Sequence, residues 1–364
     1  MRTLSRPELI AWTRLARTPR IGPLTFHRLI ARFRTASAAL DALPRVSNLS
    51  ASPEERAHAE LEGVEALNAR LIASCEPDYP PLLAQLDAPP PVIAVRGDPT
   101  WLKKPTIAIV GSREGSGSAL LFAERLAADL GAAGFTIVSG LARGVDAAAH
   151  RGALETGTGA VLAGGLDHPY PPQNLKLHEA ICTRGAVIAE APLGAVPRAR
   201  DFPRRNSIIS GVSRAVVIIE AALRSGSLIT ARAAADQGRE VMAAPGSPLD
   251  ARARGSNALI KQGATLIEDA ADVIAALGDS ASPLRPLSAG PLFDDLDTPP
   301  PPPGLPKKIA ALLSPTPIHV NDLARLLEAP SGAVAAALTE LELEGHAASL
   351  PGGYAARANA AFSG

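Results

Sequence analysis

The hydrophobic pattern divides the chain into three parts with different periods. Between residues 106 and 244, apolar runs of strand length recur at 106–110, 135–139, 160–163, 186–190, 215–220 and 240–244. Helix-length stretches separate them at 118–133, 145–156, 175–183 and 227–238. A strand that is apolar at nearly every position is covered on both faces, and its alternation with helices signals βαβ crossovers. The pattern predicts an α/β domain with a doubly wound, parallel, extended Rossmann-like sheet. Residues 1–20 read as an amphipathic helix, the start of a small all-α domain over residues 1–75. The last sixty residues read as helix (306–313), helix (321–327), a turn at Pro330, helix (332–343) and a hairpin around Pro351-Gly352-Gly353. That order predicts a winged helix.

Proline marks the boundaries. Residues 281–304 contain Pro283, Pro286, Pro291, an acidic patch (Asp294, Asp295, Asp297) and five consecutive prolines from Pro299 to Pro303. Such a stretch has few donors and little to bury, and predicts a semi-rigid linker. A second boundary is expected near 75–91, where Pro77, Pro80, Pro81 and Pro89–Pro91 interrupt any helix. The expected domains are therefore 1–75, 76–280 and 305–364, with 281–304 as the connection.

Composition narrows the function classes. Lys+Arg and Asp+Glu both number 36, so no overall field holds the protein on a polyanion, and any such site must be local. Residues 1–75 carry 11 basic and 7 acidic residues, residues 76–280 carry 20 and 21, and residues 305–364 carry 4 and 5. The N-terminal part alone is basic. The third helix of the C-terminal part has no Lys or Arg and runs into Glu344. A helix that reads the major groove needs donors and positive charge, so this one is expected to pack on protein. Two cysteines, Cys75 and Cys182, suit a reducing compartment and give no disulfide framework. No apolar run approaches the ~18–20 residues needed to cross a bilayer. A cytoplasmic location with no membrane partner is expected.

In an open parallel sheet, ligands sit outside the carboxyl ends of the strands. The residues there form three groups in this chain. Glycine loops follow the first three strands as Gly111-Ser112-Arg113-Glu114-Gly115-Ser116-Gly117, Ser139-Gly140-Leu141-Ala142-Arg143-Gly144 and Gly164-Gly165-Leu166-Asp167. The fourth strand leads to a basic segment with Phe202, Arg204, Arg205 and Asn206; residues 198–214 hold five arginines and one aspartate. The fifth leads to Ser225-Gly226-Ser227. Glycines let backbone amides approach a phosphate, helix N-termini add partial positive charge, and arginines add bidentate donors. With Phe202 and Tyr170 in neighbouring loops, this edge suits a single-stranded backbone whose bases stack on aromatic rings.

Several enzyme readings fail. The second strand ends in Ser139-Gly140, without the acidic residue a dinucleotide ribose needs, no Gly-Lys dipeptide exists for a phosphate loop, and no G-x-S-x-G elbow occurs. Asp146 and His150 lie four apart on one helix face. With no second ligand cluster beside them, a first-turn carboxylate and a packed histidine are expected rather than a metal site. No metal or cofactor is expected. The loop Ser225-Gly226-Ser227-Leu228-Ile229-Thr230 resembles the phosphate loop of lysine-decarboxylase-like phosphoribohydrolases, but Thr230 stands where those enzymes carry a catalytic glutamate. A nucleotide-binding or nucleotide-hydrolysing protein, with Glu190 and Glu220 as acid/base groups, is the alternative reading.

Taken together, the strings resemble one family, the DprA (Smf) DNA-processing proteins of natural transformation. They are Ala108-Ile109-Val110-Gly111-Ser112-Arg113, Ile137 to Asp146 with Ala149-His150, Gly165-Leu166-Asp167 with Tyr170-Pro171 and Asn174, Phe202-Pro203, Arg205-Asn206, Ile208-Ile209-Ser210-Gly211, Ser225 to Ala231, Pro245-Gly246 and Gly255-Ser256-Asn257. The resemblance implies a non-catalytic homodimer that binds and protects single-stranded DNA and helps load RecA recombinase, with single-strand-binding protein as a further partner. Carried over, the phosphate contacts fall first on Arg113 and the 111–117 loop, then on Lys176 and on Arg204 or Arg205. Leu175 and Ser207 stand where relatives often carry basic residues. Arg20-Ile21-Gly22-Pro23 with Phe26, Leu29, Ile30 and Phe33 looks like a helix-hairpin-helix. Arg20 replaces a usual glycine there, which favours a packing or partner role.

Overall fold

The computed structural model describes residues 2–46, 49–278, 304–313, 317–327, 329–350 and 353–358; the expected linker at 281–303, with Pro351 and Gly352 of the expected hairpin, lies outside the described residues. Two compact units are formed, one from residues 2–3, 60–86 and 92–278, the other from the described part of residues 4–59, 87–91 and 304–358.

The chain opens with helices α1 (Arg6–Ala16), α2 (Pro23–Phe33), α3 (Ala36–Val46) and α4 (Glu54–Ala66). Glu8 accepts the Ser5 backbone N–H at 2.8 Å, which satisfies a donor at the start of α1. Pro23 opens α2, where its missing N–H costs nothing. Arg20 takes the left-handed conformation, φ 69°, at the turn before α2. Trp12 and Phe26 pack edge to face at 4.9 Å. The proline run 89–91 closes on this pair, because the Trp12 Nε1–H donates to Pro91 O and the His27 Nε2–H donates to Pro89 O.

The central sheet follows. Its elements are β1 (Ala69–Ala73), α5 (Pro81–Ala84), β2 (Val92–Gly97), β3 (Thr106–Gly111), α6 (Gly117–Ala132), β4 (Thr136–Ser139), α7 (Val145–Gly152), β5 (Thr158–Leu162), α8 (Leu175–Arg184) and β6 (Ala186–Ala189). They continue as α9 (Asp201–Gly211), β7 (Ala215–Ile219), α10 (Ser227–Asp236), β8 (Glu240–Ala243), α11 (Arg254–Lys261), β9 (Thr265–Leu266) and α12 (Ala270–Leu277). The strand order is β1-β2-β6-β5-β4-β3-β7-β8-β9. Strands β3 to β9 pair in parallel, as the continuous apolar runs predict. The pleat sends Ala108 and Val110 to one face, packed with Ile208 and Ile209 of α9, and Ile107 and Ile109 to the other, packed with Leu126 and Leu130 of α6. The order reverses between β3 and β7, so the loops after these two strands diverge and open a crevice.

Two features depart from the sequence reading. Strand β1 lies inside the segment read as the helical domain, yet it pairs antiparallel with β2, and β2 pairs antiparallel with β6. The sheet therefore begins before residue 75 and is mixed at one edge; the prolines between β1 and β2 form the connection. The basic segment after β6, read as a loop, is largely the helix α9. Pro203 sits in its first turn, where proline is tolerated.

The C-terminal part is a winged helix, with α13 (Leu305–Leu312), β10 (Ile318–His319), α14 (Val320–Leu326), α15 (Ser331–Leu343), β11 (Ala347–Leu350) and β12 (Tyr354–Arg357). Its sheet runs β10-β12-β11. Leu305, Ile309, Leu323, Val334, Leu338 and Ala355 form its core. Among the described residues, no helix is long and apolar enough to cross a membrane.

Candidate functional site

The loops after β3 and β4, the segment before α8 and the first turn of α9 converge at the carboxyl edge of the sheet. Arg113, Gly140, Ala142, Arg143, Tyr170, Pro171, Phe202 and Arg205 line a shallow cleft there. Phe202 is its centre. Tyr170 meets the Phe202 ring edge to face at 6.2 Å, and the Arg113 and Arg205 guanidinium carbons lie 5.2 and 5.5 Å from its centroid. A cation over an aromatic face is held by the ring quadrupole, which pre-positions Arg113 without using up its donors. Arg113, Arg143 and Tyr170 are exposed, as is Lys176 in the first turn of α8. Chemically, the cleft offers guanidinium groups to phosphates and ring surface to bases.

Beneath the cleft lies a buried polar layer. Asp146, in the first turn of α7, accepts the Gly140 N–H at 3.1 Å and the Ala142 N–H at 3.3 Å through Oδ2. Arg205 donates from Nη1 to the carbonyls of Gly140 and Val161. His150 Nε2 accepts the Leu141 N–H at 3.3 Å, so its proton sits on Nδ1 and is donated to Thr158 Oγ1, whose hydroxyl donates to Ile137 O. Residues 140–142 are thus tied at every amide, and Leu141 is held at φ 57°. Burial sets the titration of all three groups. It raises the Asp146 carboxyl, partly countered by the Arg205 charge, lowers the His150 imidazole to about 3, and lowers Arg205 to about 10. His150 is neutral at physiological pH. Gly144 completes the loop with φ 77°; a Cβ there would strike Ser112 O, so the β3 and β4 loops pack backbone to backbone.

The structure brings part of the expected set to the cleft and commits the rest to protein partners. Gly140, Arg143, Tyr170 and Phe202 line the cleft together with Arg113. Arg205 reaches it only by its guanidinium face under Phe202, since its side chain is buried and bonded to backbone. Ser139 is fully buried, its hydroxyl donating to Ile109 O. Gly165 donates its N–H to Ala195 O, where a Cβ would strike Pro192 O. Asn174 ties the cleft from outside, with Nδ2 donating to the carbonyls of Leu141 and Ala142 at 2.9 and 3.1 Å. Arg204 is exposed and pairs with Glu190 at 2.6 Å.

A second group gathers at the crevice between β3 and β7. Ser112 Oγ accepts the Glu114 N–H, holding the turn of the 111–117 loop. Ser116 caps α6, accepting the Ala119 N–H, and donates its own N–H and hydroxyl to Glu220. Gly117 begins α6 with open space around it. Gly111 abuts Ile219 O of β7. Ser225 and Ser227 bond each other at 2.7 Å, and Asn206 is buried, donating to Gly226 O. Glu220 holds φ 46°, a costly conformation for a non-glycine residue. The carboxylates of the nucleotide reading, Glu190 and Glu220, thus both accept hydrogen bonds from neighbouring protein groups.

Sequence reasoning did not find the tethering role of Asp146 and His150, although their spacing on one helix face was its signal. It also passed over His178, Glu179 and Cys182 on α8, whose potential ligand atoms lie within 4.8 Å of one another. There Arg96 grips both Glu179 oxygens and burial holds the Cys182 thiol up at about 11, a poor setting for a cation.

Comparison with known proteins places these features in a family. Residues 70–278 match the family model of DNA recombination-mediator protein A, residues 6–63 that of the DprA-like N-terminal HHH domain, and residues 295–353 that of the DprA winged helix domain. Protein Smf of Escherichia coli is 37% identical over 307 residues, which cover 83% of this chain and 81% of its own. The crystal structure of DNA processing protein A from Streptococcus pneumoniae aligns with a TM-score of 0.62 and 30% identity, over 75% of this chain and 98% of that one. DNA processing protein A from Helicobacter pylori, a structure concerned with a single-stranded DNA binding mode, aligns with a TM-score of 0.53 and 29% identity, over 57% and 95%. A model match across more than half of the chain, with a relative so similar over most of both lengths, establishes that this chain belongs to the DprA/Smf family of DNA recombination mediators.

Proposed function

We propose that this chain binds single-stranded DNA at the carboxyl edge of its central sheet and does not cleave it. The observation that carries the reading is the cluster of Arg113, Phe202 and Tyr170 on a tethered loop floor. Phosphates engage Arg113 and Arg143, with Lys176 and Arg204 extending the basic track, while bases stack on the aromatic pair. The loops Gly111–Gly117 and Ser225–Ser227 supply the backbone donors at the neighbouring crevice. Phosphate contacts fix position without reading sequence, so selectivity is low and affinity falls as salt rises. The relationship to the Helicobacter pylori protein, studied for its single-stranded DNA binding mode, supports the same ligand. Beyond binding, we infer from the resemblance alone a homodimer that protects incoming strands in the cytoplasm, works beside single-strand-binding protein and helps load RecA recombinase in natural transformation.

The test is a salt titration of binding to single-stranded and duplex DNA of equal length, with Arg113→Glu beside the wild type. Tight, salt-sensitive, strand-selective binding lost in the variant is expected. Binding indifferent to Arg113 would move the site elsewhere, and turnover of a nucleotide panel lost in Glu220→Gln would replace a binding role by an enzymatic one.

A further inference from the structure

A second basic surface exists in the N-terminal helices, and an acidic element of the same chain covers it. Residues 4–59 carry nine Lys+Arg and four Asp+Glu. Three of those arginines converge. Arg28 and Arg32 lie one turn apart on α2, about 6 Å along the axis, and Arg20 stands at the turn before it. All three face the carboxyl end of α15. Arg28 Nη1 lies 3.4 Å from Glu342 Oε2 and donates to Ser349 Oγ at 2.8 Å. Arg32 Nη1 pairs with Glu340 Oε1 at 3.1 Å. Arg20 Nη2 donates to the Leu343 carbonyl at 3.1 Å, at the negative end of the helix dipole. Glu342 is itself braced, accepting from the Ser349 N–H and hydroxyl.

The chemistry of α15 in this contact is that of a phosphate backbone, a row of anionic oxygens met by arginines spaced one helical turn apart. The helix that reads bases in DNA-binding winged helices here has no cation and spends its acidic end on protein. The side chains involved remain about a fifth to a third exposed, so water and salt compete with each pair. Such a contact is exchangeable for another polyanion of the same charge pattern.

We propose that the acidic end of α15 is an internal stand-in for a DNA backbone, covering the Arg20–Arg28–Arg32 face until single-stranded DNA displaces the winged helix and takes its place. The face is a second DNA contact of the chain, and the winged helix is its competitor. This goes beyond the sheet-edge site and does not depend on it.

The experiment uses the full chain with Cys75 and Cys182 replaced by serine and fluorophores on Ser37→Cys and Ala311→Cys. Energy transfer between them is expected to fall when an oligo(dT) strand is added. Glu340→Gln with Glu342→Gln is expected to lower transfer without DNA. In an Arg113→Glu background, which disables the sheet-edge site, the same pair is expected to raise DNA affinity several-fold over a charge-matched control, Asp322→Asn with Glu344→Gln. Reversing the charges on both sides (Arg28→Glu and Arg32→Glu with Glu340→Arg and Glu342→Arg) is expected to restore the transfer that the arginine changes alone abolish. Transfer unchanged by DNA, or glutamine variants that bind no tighter than the control, would overturn the proposal. Failure of Arg113→Glu to affect the wild-type complex would instead count against the sheet-edge reading alone.

Discussion

Arg205 and Asp146 hold the same residue from its two sides. The Asp146 carboxylate accepts the Gly140 N–H, and the Arg205 guanidinium donates to the Gly140 carbonyl. Neither side chain has appreciable solvent exposure, at 6% each. The pair therefore acts as a clamp on the floor of the cleft rather than as a contact to an outside ligand, and Phe202 rests on its cationic side.

Breaking that clamp from one side leaves a buried charge without its counter-charge. Asp146→Ala or Arg205→Met is expected to cost about 3–5 kcal/mol in urea unfolding. The double replacement should cost clearly less than the sum, because it removes both charges together. Additive losses would show that the two groups are independent.

The exposed arginine makes a different prediction. Arg113→Ala leaves the fold intact, since its side chain is outside the core, and removes one phosphate contact. The slope of log K against log salt for single-stranded DNA should become shallower by about 0.7. An unchanged slope, measured between low and moderate salt, would place Arg113 away from the backbone.

Stacking is separable from charge. Phe202→Ala is expected to weaken single-strand binding by about 1–3 kcal/mol per stacked base while leaving the salt slope nearly unchanged. Tyr170→Ala should likewise weaken binding without changing the salt slope, since its exposed ring lies beside Phe202 in the cleft. The measurement is a pair of salt titrations with a poly-pyrimidine strand.

His150 gives the fold a pH dependence of predictable sign. Its imidazole is held down at about 3 by burial, against an ordinary value of 6.5. Above pH 6.5 both folded and unfolded chains keep it neutral and it contributes no slope. As pH falls below 6.5 the unfolded chain takes up a proton that the folded chain refuses, so stability is lost by up to about 1.4 kcal/mol per pH unit. Asp146 works in the opposite sense, its raised carboxyl disfavouring the fold as pH rises through its folded value. His150→Gln keeps an acceptor for Leu141 and removes the acid-side loss. Urea midpoints followed from pH 7 to pH 4 should fall more gently in the variant, and parallel curves would contradict the assignment.

The sequence by itself determined the sheet and singled out the edge proposed here as the ligand site. Val, Ile and Ala at successive positions of 107–110 or 215–219 leave no polar face, so those strands had to lie inside a two-faced sheet, and glycine and arginine at their ends marked the edge where a ligand is proposed to approach. The lack of any cation on α15 also pointed to a helix that packs on protein, and in the structure its acidic end meets the arginines of α2. What it left undecided was the fate of each polar side chain. Arg204 and Arg205 are neighbours in sequence and equal in charge; only the helical register of α9, with Ile208 and Ile209 on the inner face, turns Arg205 into the core and Arg204 to solvent. The spacing Arg205, Ile208, Ile209, Val212 is helical, but the prolines and charges before it masked the period. Strand β1 was equally hidden, because an antiparallel edge strand is defined by its partner β2, twenty residues away across a proline-rich connection. Asp146 and His150 acquired their roles from backbone amides of the 140–142 loop, and which amides a carboxylate or imidazole meets is settled only when the chain has folded around it.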